Sequence, residues 1–222
     1  LGLRSLRLSL REPASFRTQL RALLRVSSLG DVRVMFPLVT TLGEWRRARA
    51  ILDEVASELR AEGVAVRPDL PVGAMIEVPA AALMADHLAR EADFFSIGTN
   101  DLVQYALAAD RTNEAVADLY NAADPAVLRM IAMVVAAARA RSIDVTVCGS
   151  VAGDPLYTRL LLGLGVTHLS TPPHQLPEIK RVIRAMRLDQ ARSLAAEALT
   201  RDTAESVLAL LRDPRSGAGP ID

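Results

Sequence analysis

The 222-residue sequence has a single cysteine, no excess charge of either sign and no long apolar run. Because Cys148 has no second cysteine to pair with, we exclude a disulfide within the chain and expect a reducing, cytoplasmic compartment. The 26 basic and 26 acidic side chains balance, so the chain lacks the basic footprint that nucleic-acid binding requires. No stretch approaches the roughly 20 consecutive apolar residues of a transmembrane helix. We therefore expect neither a nucleic acid nor a membrane as a partner.

The composition is that of a folded domain. Hydrophobic residues make up 50% of the chain and charged residues 23%, which is enough apolar material for a large core and excludes intrinsic disorder. The length suits one large domain or two small ones. The chain begins at Leu1, without a methionine, so we expect it to be part of a longer protein. We assign residues 1–212 to one domain and expect residues 213–222 to form a loose tail.

Short apolar runs alternate with longer segments of helical periodicity. Between the runs, apolar residues recur at three- and four-residue spacing, which is typical of βαβ units and a parallel sheet. This alternation fits either a doubly wound sheet or a (β/α)₈ barrel. Five runs rich in Val, Ile and Phe are predicted to be strands: Val32–Phe36, Val72–Ile76, Phe94–Ile97, Val145–Val147 and His168–Ser170.

The residues that end these runs favour the barrel. In a barrel all strands run in the same direction, so their last residues collect on one rim, where barrel enzymes have their active sites. We therefore predict an α/β fold of the (β/α)₈ TIM-barrel type. Because a complete barrel has roughly 250 residues, we expect an N-terminally truncated barrel with about five of its eight strands. The terminal groups are Phe36-Pro37, Glu77, Asn100-Asp101, Cys148 and Ser170-Thr171.

Two acids stand at the ends of apolar strands. Glu77 follows Met75-Ile76, and Asp101 follows Ile97-Gly98-Thr99. Carboxylates with no histidine nearby suit Mg²⁺ or Mn²⁺, which prefer one or two carboxylates together with substrate oxygens and water. The alternative for each acid is a first-turn helix residue that the helix dipole stabilises.

Four further features are candidates for anion binding or proton transfer. The turn Gly98–Asp101 can present backbone N–H groups at a helix start. Arg111 can grip an anion through two hydrogen bonds, or lie on the surface. Arg33 interrupts an apolar strand and can point into the barrel, or extend from a sheet face into water. Cys148 can present its thiol at the rim, or serve as a small buried hydrophobe.

Several sequence segments together resemble one known family. They are RVMFP at 33–37, MIEVPAA at 75–81, FFSIGTNDLVQY at 94–105, DRTN at 110–113, VCG at 147–149 and AGD at 152–154. In this order they are similar to Enzyme I of the phosphoenolpyruvate-dependent sugar phosphotransferase system. Residues 104–105 and 110–113 favour this family over its relatives pyruvate phosphate dikinase and phosphoenolpyruvate synthase.

The resemblance implies a (β/α)₈ barrel that binds phosphoenolpyruvate and Mg²⁺, belonging to a transferase. The phosphoryl group would pass to a histidine on a separate domain that this chain lacks, with release of pyruvate. That phosphohistidine would serve the small phosphocarrier HPr, and the full protein would form a homodimer through this domain.

The resemblance also implies a role for each matched residue. Glu77 and Asp101 match Mg²⁺ ligands, and Asn100 and Asp101 match substrate contacts. Cys148 matches the donor of a proton to the enolate carbon. The arginines that match those holding the anionic groups of the substrate are Arg4, Arg33 and Arg111.

The sequence departs from the family at two places. Ser150 stands where the family usually has Glu, and the segment Ser170–His174 is less regular than the usual small-residue version. These differences leave open a divergent paralogue, such as a nitrogen-related branch or a multidomain fusion. A dikinase or synthase relative is a second alternative. A third, of a different class, is a non-catalytic barrel module for dimerisation or regulation.

Overall fold

A computed structural model describes residues 1–213, and its centre is a parallel sheet. Within this part of the chain the sheet has five strands in the order β1-β2-β3-β4-β5. This order, with helices between the strands, confirms the predicted α/β fold, and each strand lies within two residues of its predicted bounds. The proposed tail lies outside the described residues except for Asp213. The strands are β1 Val34–Phe36, β2 Val72–Ile76, β3 Phe94–Gly98, β4 Asp144–Cys148 and β5 His168–Leu169.

Helices precede the sheet, connect its strands and follow it. α1 was not predicted, and α6 was predicted only as a helix start. None of the described helices is long and apolar enough to cross a bilayer. The helices are α1 Ser5–Arg11, α2 Pro13–Val26, α3 Leu42–Ala61, α4 Pro79–Leu83, α5 Ala85–Leu88, α6 Thr99–Leu107, α7 Pro125–Arg139, α8 Pro155–Leu164, α9 Leu176–Ala185, α10 Leu188–Ala198 and α11 Ala204–Arg212.

Local sequence signals explain where the connecting helices start. Thr41 and Glu44 form a reciprocal capping box at the start of α3, which satisfies two backbone N–H groups that have no helical partner. Asp124 and Asp154 accept backbone N–H bonds at the starts of α7 and α8, each followed by a proline in the first turn. These caps fix the points at which the chain leaves the sheet, and therefore the loops that form its carboxyl edge.

An ion pair links the amino ends of β1 and β4. Arg33, just before β1, places Nη1 3.7 Å from Oδ2 of Asp144, the first residue of β4. The same guanidinium lies 5.8 Å from the ring centre of Phe94, the first residue of β3. Three strand spacings separate β1 from β4, so the two side chains extend towards each other across the amino edge of the sheet.

Helices α8 and α10 pack closely against each other. A Cβ atom added at Gly163 of α8 would lie 2.0 Å from the carbonyl oxygen of Ala191 in α10 and 3.0 Å from the Cβ of Ala195. The neighbouring atom is backbone, so the two helices can approach this closely only because position 163 has no side chain.

We expect Gly163→Ala to destabilise the chain by about 1–3 kcal/mol, because the added methyl group forces α8 and α10 apart. Gly43→Ala is the matched control, since a Cβ in the exposed first turn of α3 meets only Thr41 Oγ1, at 3.8 Å. The free energy of unfolding in urea measures both. Equal stability of the two variants would contradict the close contact.

Candidate active site

The carboxyl ends of β2, β3 and β4 bring polar side chains together. Glu77 follows β2, Asn100 and Asp101 lie in the first turn of α6 directly after β3, and Cys148 is the last residue of β4. Because neighbouring strands are parallel and in register, these residues share one edge of the sheet. The side chains described below form what we call the rim site: Arg4, Glu77, Asn100, Asp101, Arg111 and Cys148.

The Glu77 carboxylate is buried at the centre of this edge. The residue is 7% exposed, and its Oε1 accepts the backbone N–H of Leu38 at 2.7 Å. A Cβ atom at Gly98 would lie 2.7 Å from Glu77 Oε2, so the end of β3 must be glycine for the carboxylate to fit. A buried acid with one hydrogen bond is costly to ionise.

Charges around Glu77 act in opposite directions on its acidity. Burial raises the pKa of the Glu77 carboxyl, the hydrogen bond from Leu38 lowers it, and the negative charge of Asp101 raises it. The positive charges of Arg4 and Arg111 lower it. The outcome is a pKa above the ordinary range, with burial as its largest cause.

Asp101 is held by an arginine from the start of the chain. It is 5% exposed, and its Oδ2 lies 2.9 Å from Nη1 of Arg4, the residue before α1. The same Nη1 donates to the hydroxyl of Tyr105 at 3.2 Å. Because the Arg4 side chain is 46% exposed, part of its guanidinium stays accessible to a ligand.

Cys148 is half-buried beside Ser96, one strand away. The Ser96 hydroxyl donates to Cys148 Sγ at 3.3 Å, and the Ile97 carbonyl accepts from the thiol at 3.5 Å. Burial raises the pKa of the thiol, the Ser96 hydrogen bond lowers it, and the charge of Glu77 raises it, with a net rise. The thiol therefore carries its proton at neutral pH, as a proton donor must.

The structure places Arg111 and Arg33 at opposite edges of the sheet. Arg111 lies exposed in the loop after α6, and its charge acts on Glu77 and on Tyr120, which places it at the rim site. Arg33 does not belong there. It pairs with Asp144 at the amino ends of the strands, the opposite edge of the sheet, so the prediction that it contacts the substrate is wrong.

Sequence reasoning missed three residues that support the rim site. Tyr105 contacts Arg4, Ser96 contacts Cys148, and the Tyr120 hydroxyl donates to the backbone carbonyl of Asn100 at 2.9 Å. Ser96 had a signal, since it is a polar residue within the apolar run of β3. Tyr105 ends the family segment at 94–105 but had no predicted role, because Arg4 is 101 residues away in the sequence. Tyr120 had no signal, because Asn100 is 20 residues away in the sequence and belongs to another element.

The carboxylates of the rim site fit a magnesium ion. Within residues 1–213, no three His, Cys, Asp or Glu side chains lie close enough together to enclose a metal. Mg²⁺ does not need such a cage, because it is commonly bound by one or two carboxylates, with water and substrate oxygens in its other positions. Glu77 and Asp101 supply hard oxygen donors and a mutual repulsion that a divalent cation would offset.

The sequence matches a known protein family over most of its length. Residues 1–188 match the model of the family described as "PEP-utilising enzyme, PEP-binding domain". The chain belongs to this family. The resemblance inferred from the sequence is thereby confirmed, and the rim site lies entirely within the matched residues of this PEP-binding domain.

Several curated proteins similar to this chain are named phosphoenolpyruvate-protein phosphotransferase. The PEP-binding domain is 45% identical to that of Geobacillus stearothermophilus over 212 residues, 44% identical to that of Bacillus subtilis over 213 and 47% identical to that of Streptococcus equinus over 216. Each alignment covers 96% of this chain and 37% of the relative. The chain thus spans just over a third of the length of the curated relatives it matches.

One solved structure shows the fold in a more distant protein. A citrate lyase from Burkholderia xenovorans superposes with a TM-score of 0.58 at 19% identity, covering 94% of this chain and 71% of that chain. At this identity the likeness concerns the fold alone.

We expect Ser96→Ala to shift the alkylation of Cys148 to higher pH, because loss of the hydroxyl donor removes the bond that favours the thiolate. Iodoacetamide labelling against pH measures this on one residue, since the chain has no other cysteine. At pH 8 the variant should react several-fold more slowly than the wild type, and both should react equally in urea. Ser57→Ala, exposed on α3, is the control; a profile unchanged by Ser96→Ala would contradict the contact.

We expect Glu77→Gln to stabilise the cation-free chain at neutral pH by about 1 kcal/mol, a usual size for a stabilising substitution. Burial raises the pKa of Glu77 in the folded state, so its ionisation costs stability as pH rises above the unfolded value near 4.3. The gain should vanish below about pH 4, where the carboxyl is protonated in both states. The free energy of unfolding in urea, measured across this pH range, tests the prediction, with Glu12→Gln at an exposed position as the control. A Glu77→Gln variant that is less stable than the wild type at pH 7 would contradict it.

Proposed function

We propose that this chain is the phosphoenolpyruvate-binding barrel of a phosphoenolpyruvate-protein phosphotransferase, with residues 1–212 as the barrel part. The observation that carries the proposal is the rim site, where two buried carboxylates and a protonated thiol lie at the carboxyl edge of the sheet, with Arg4 paired to Asp101 and the charge of Arg111 acting on Glu77. The names of the relatives favour a phosphotransferase over a dikinase or synthase.

The charges of the rim site suit a small, highly anionic substrate. Phosphoenolpyruvate carries a phosphate and a carboxylate, which the guanidinium groups of Arg4 and Arg111 would bind through charge-assisted hydrogen bonds. Mg²⁺ held by Glu77 and Asp101 would neutralise charge on the transferring phosphoryl group. Asn100, in the first turn of α6, would add a neutral hydrogen-bond donor to this set.

Cys148 accounts for the second half of the reaction. When the phosphorus–oxygen bond of phosphoenolpyruvate breaks, its electron pair stays on the substrate oxygen and leaves the enolate of pyruvate. A proton on the enolate carbon completes pyruvate, and the thiol of Cys148 would supply it, leaving a thiolate that regains a proton from water. The raised pKa of this thiol keeps the proton available at neutral pH.

The phosphoryl group would go to a histidine on another domain. Of the three histidines here, His87 lies on α5 against Asp86, His168 begins β5 at the amino edge, and His174 is exposed in the short turn between β5 and α9. Relay from that histidine to a phosphocarrier of the HPr type, a homodimeric full enzyme and a cytoplasmic location complete the proposal. These parts are supported by the 44–47% identity to the named relatives.

Titration of the chain with phosphoenolpyruvate in the presence of Mg²⁺ tests the substrate assignment. We expect Arg111→Ala to weaken binding about 10- to 100-fold, the usual effect of losing a charged hydrogen-bond partner. Arg33→Ala, which removes an arginine from the opposite edge, should leave affinity unchanged. No binding by the wild type, or an equal loss in both variants, would overturn the proposal.

Kinetics of the full enzyme that contains this chain test the role of the thiol. We expect Cys148→Ala to slow pyruvate formation about 10²- to 10⁴-fold, the usual contribution of a general acid, while phosphoenolpyruvate and Mg²⁺ still bind. Unchanged turnover would remove Cys148 from the mechanism.

A further inference from the structure

The loop after β4 contacts the first turn of α6 through one amide. The backbone N–H of Ser150 lies 3.1 Å from Oδ1 of Asn100, and the Ser150 hydroxyl lies 3.0 Å from the same oxygen. Two donors from one residue thus converge on one acceptor of the rim site.

These contacts determine which way the Asn100 amide points. A backbone N–H can only donate, so the Asn100 atom that faces it must be the carbonyl oxygen and not the amino nitrogen. The hydroxyl of Ser150 adds a second donor at the same oxygen. The Nδ2 amino group therefore points away from Ser150, with its two hydrogens free of this contact.

The loop reaches Asn100 because residue 149 is glycine. Gly149 adopts φ +105°, in the left-handed region, and an added Cβ would lie 2.5 Å from Thr99 Oγ1 and 2.9 Å from Asn100 Oδ1. Thr99 Oγ1 in turn donates to the carbonyl of Cys148 at 2.9 Å. The chain on either side of Gly149 is therefore attached to the start of α6.

Asn100 is also held from its backbone. Its carbonyl oxygen accepts the Tyr120 hydroxyl at 2.9 Å, so both the main chain and the amide oxygen have fixed partners. The amino group is the part of Asn100 for which the structure provides no bond among the described residues. Asn100 lies in the first turn of α6, one residue before Asp101, so this amino group is a candidate donor to a ligand at the rim site.

We propose that Ser150 is a positioning residue that sets the orientation of the Asn100 amide, so that Nδ2 is kept as a donor for the anionic substrate. This inference rests on the proposed function for the identity of the substrate, and on the contacts of Ser150 for the orientation. Ser150 need not touch the substrate, since it acts through Asn100.

Three variants separate the hydroxyl from the bulk of the side chain. Ser150→Thr keeps the donor and should bind phosphoenolpyruvate, with Mg²⁺ present, within twofold of the wild type. Ser150→Ala loses one neutral hydrogen bond, and we expect affinity to fall about three- to tenfold. Ser150→Asp places an acceptor next to the acceptor Oδ1 of Asn100, and we expect the affinity for phosphoenolpyruvate to fall more than tenfold. Ser57→Ala, on the exposed face of α3, serves as the control.

The side-chain amide signals of Asn100 in an NMR spectrum supply a readout that needs no substrate. We expect Ser150→Ala and Ser150→Asp to move these signals while most backbone amide signals stay in place, and Ser150→Thr to restore them. Asn100 signals that stay unmoved in Ser150→Ala, together with wild-type affinity, would overturn the positioning role and leave the proposed function standing. Moved signals in a chain whose wild type binds no phosphoenolpyruvate would overturn the proposed function, and with it the substrate that Asn100 serves.

Discussion

The rest of the rim site depends on burying the Glu77 carboxylate at the edge of the sheet. Its oxygen takes the N–H of Leu38, which adopts φ +53°, a backbone conformation that costs a non-glycine residue on the order of 1 kcal/mol or more. The other carboxylate oxygen fits because Gly98 has no side chain. Burying this charge without compensation would be costly, and the positive charges of Arg4 and Arg111 offset part of that cost.

The same burial governs the neighbouring groups. Low solvation and the negative charge of Glu77 both raise the pKa of the Cys148 thiol, so one carboxylate helps to keep the proposed proton donor protonated. Asp101 is paired with Arg4, which leaves the two carboxylates with unequal surroundings. The proposed Mg²⁺ would offset the repulsion between these two carboxylates.

The sequence was sufficient to predict groups that lie at strand ends. Glu77, Asp101 and Cys148 could be predicted to share an edge because parallel strands all end on the same side. Arg33 was predicted to lie inside a strand over residues 32–36. The strand begins at Val34, so Arg33 lies at the amino edge with Asp144.

The sequence by itself determined the class of fold, the five strands and the acids and thiol that end them, because local periodicity and strand direction are properties of neighbouring residues. It also indicated the family, through motifs that occur in the family's order along the chain. Only the tertiary structure decided which pairs meet across the sheet: Ser96 with Cys148 and Ser150 with Asn100. These pairs are about 50 residues apart in the chain, and their distances depend on strand register and sheet curvature, which no local pattern encodes.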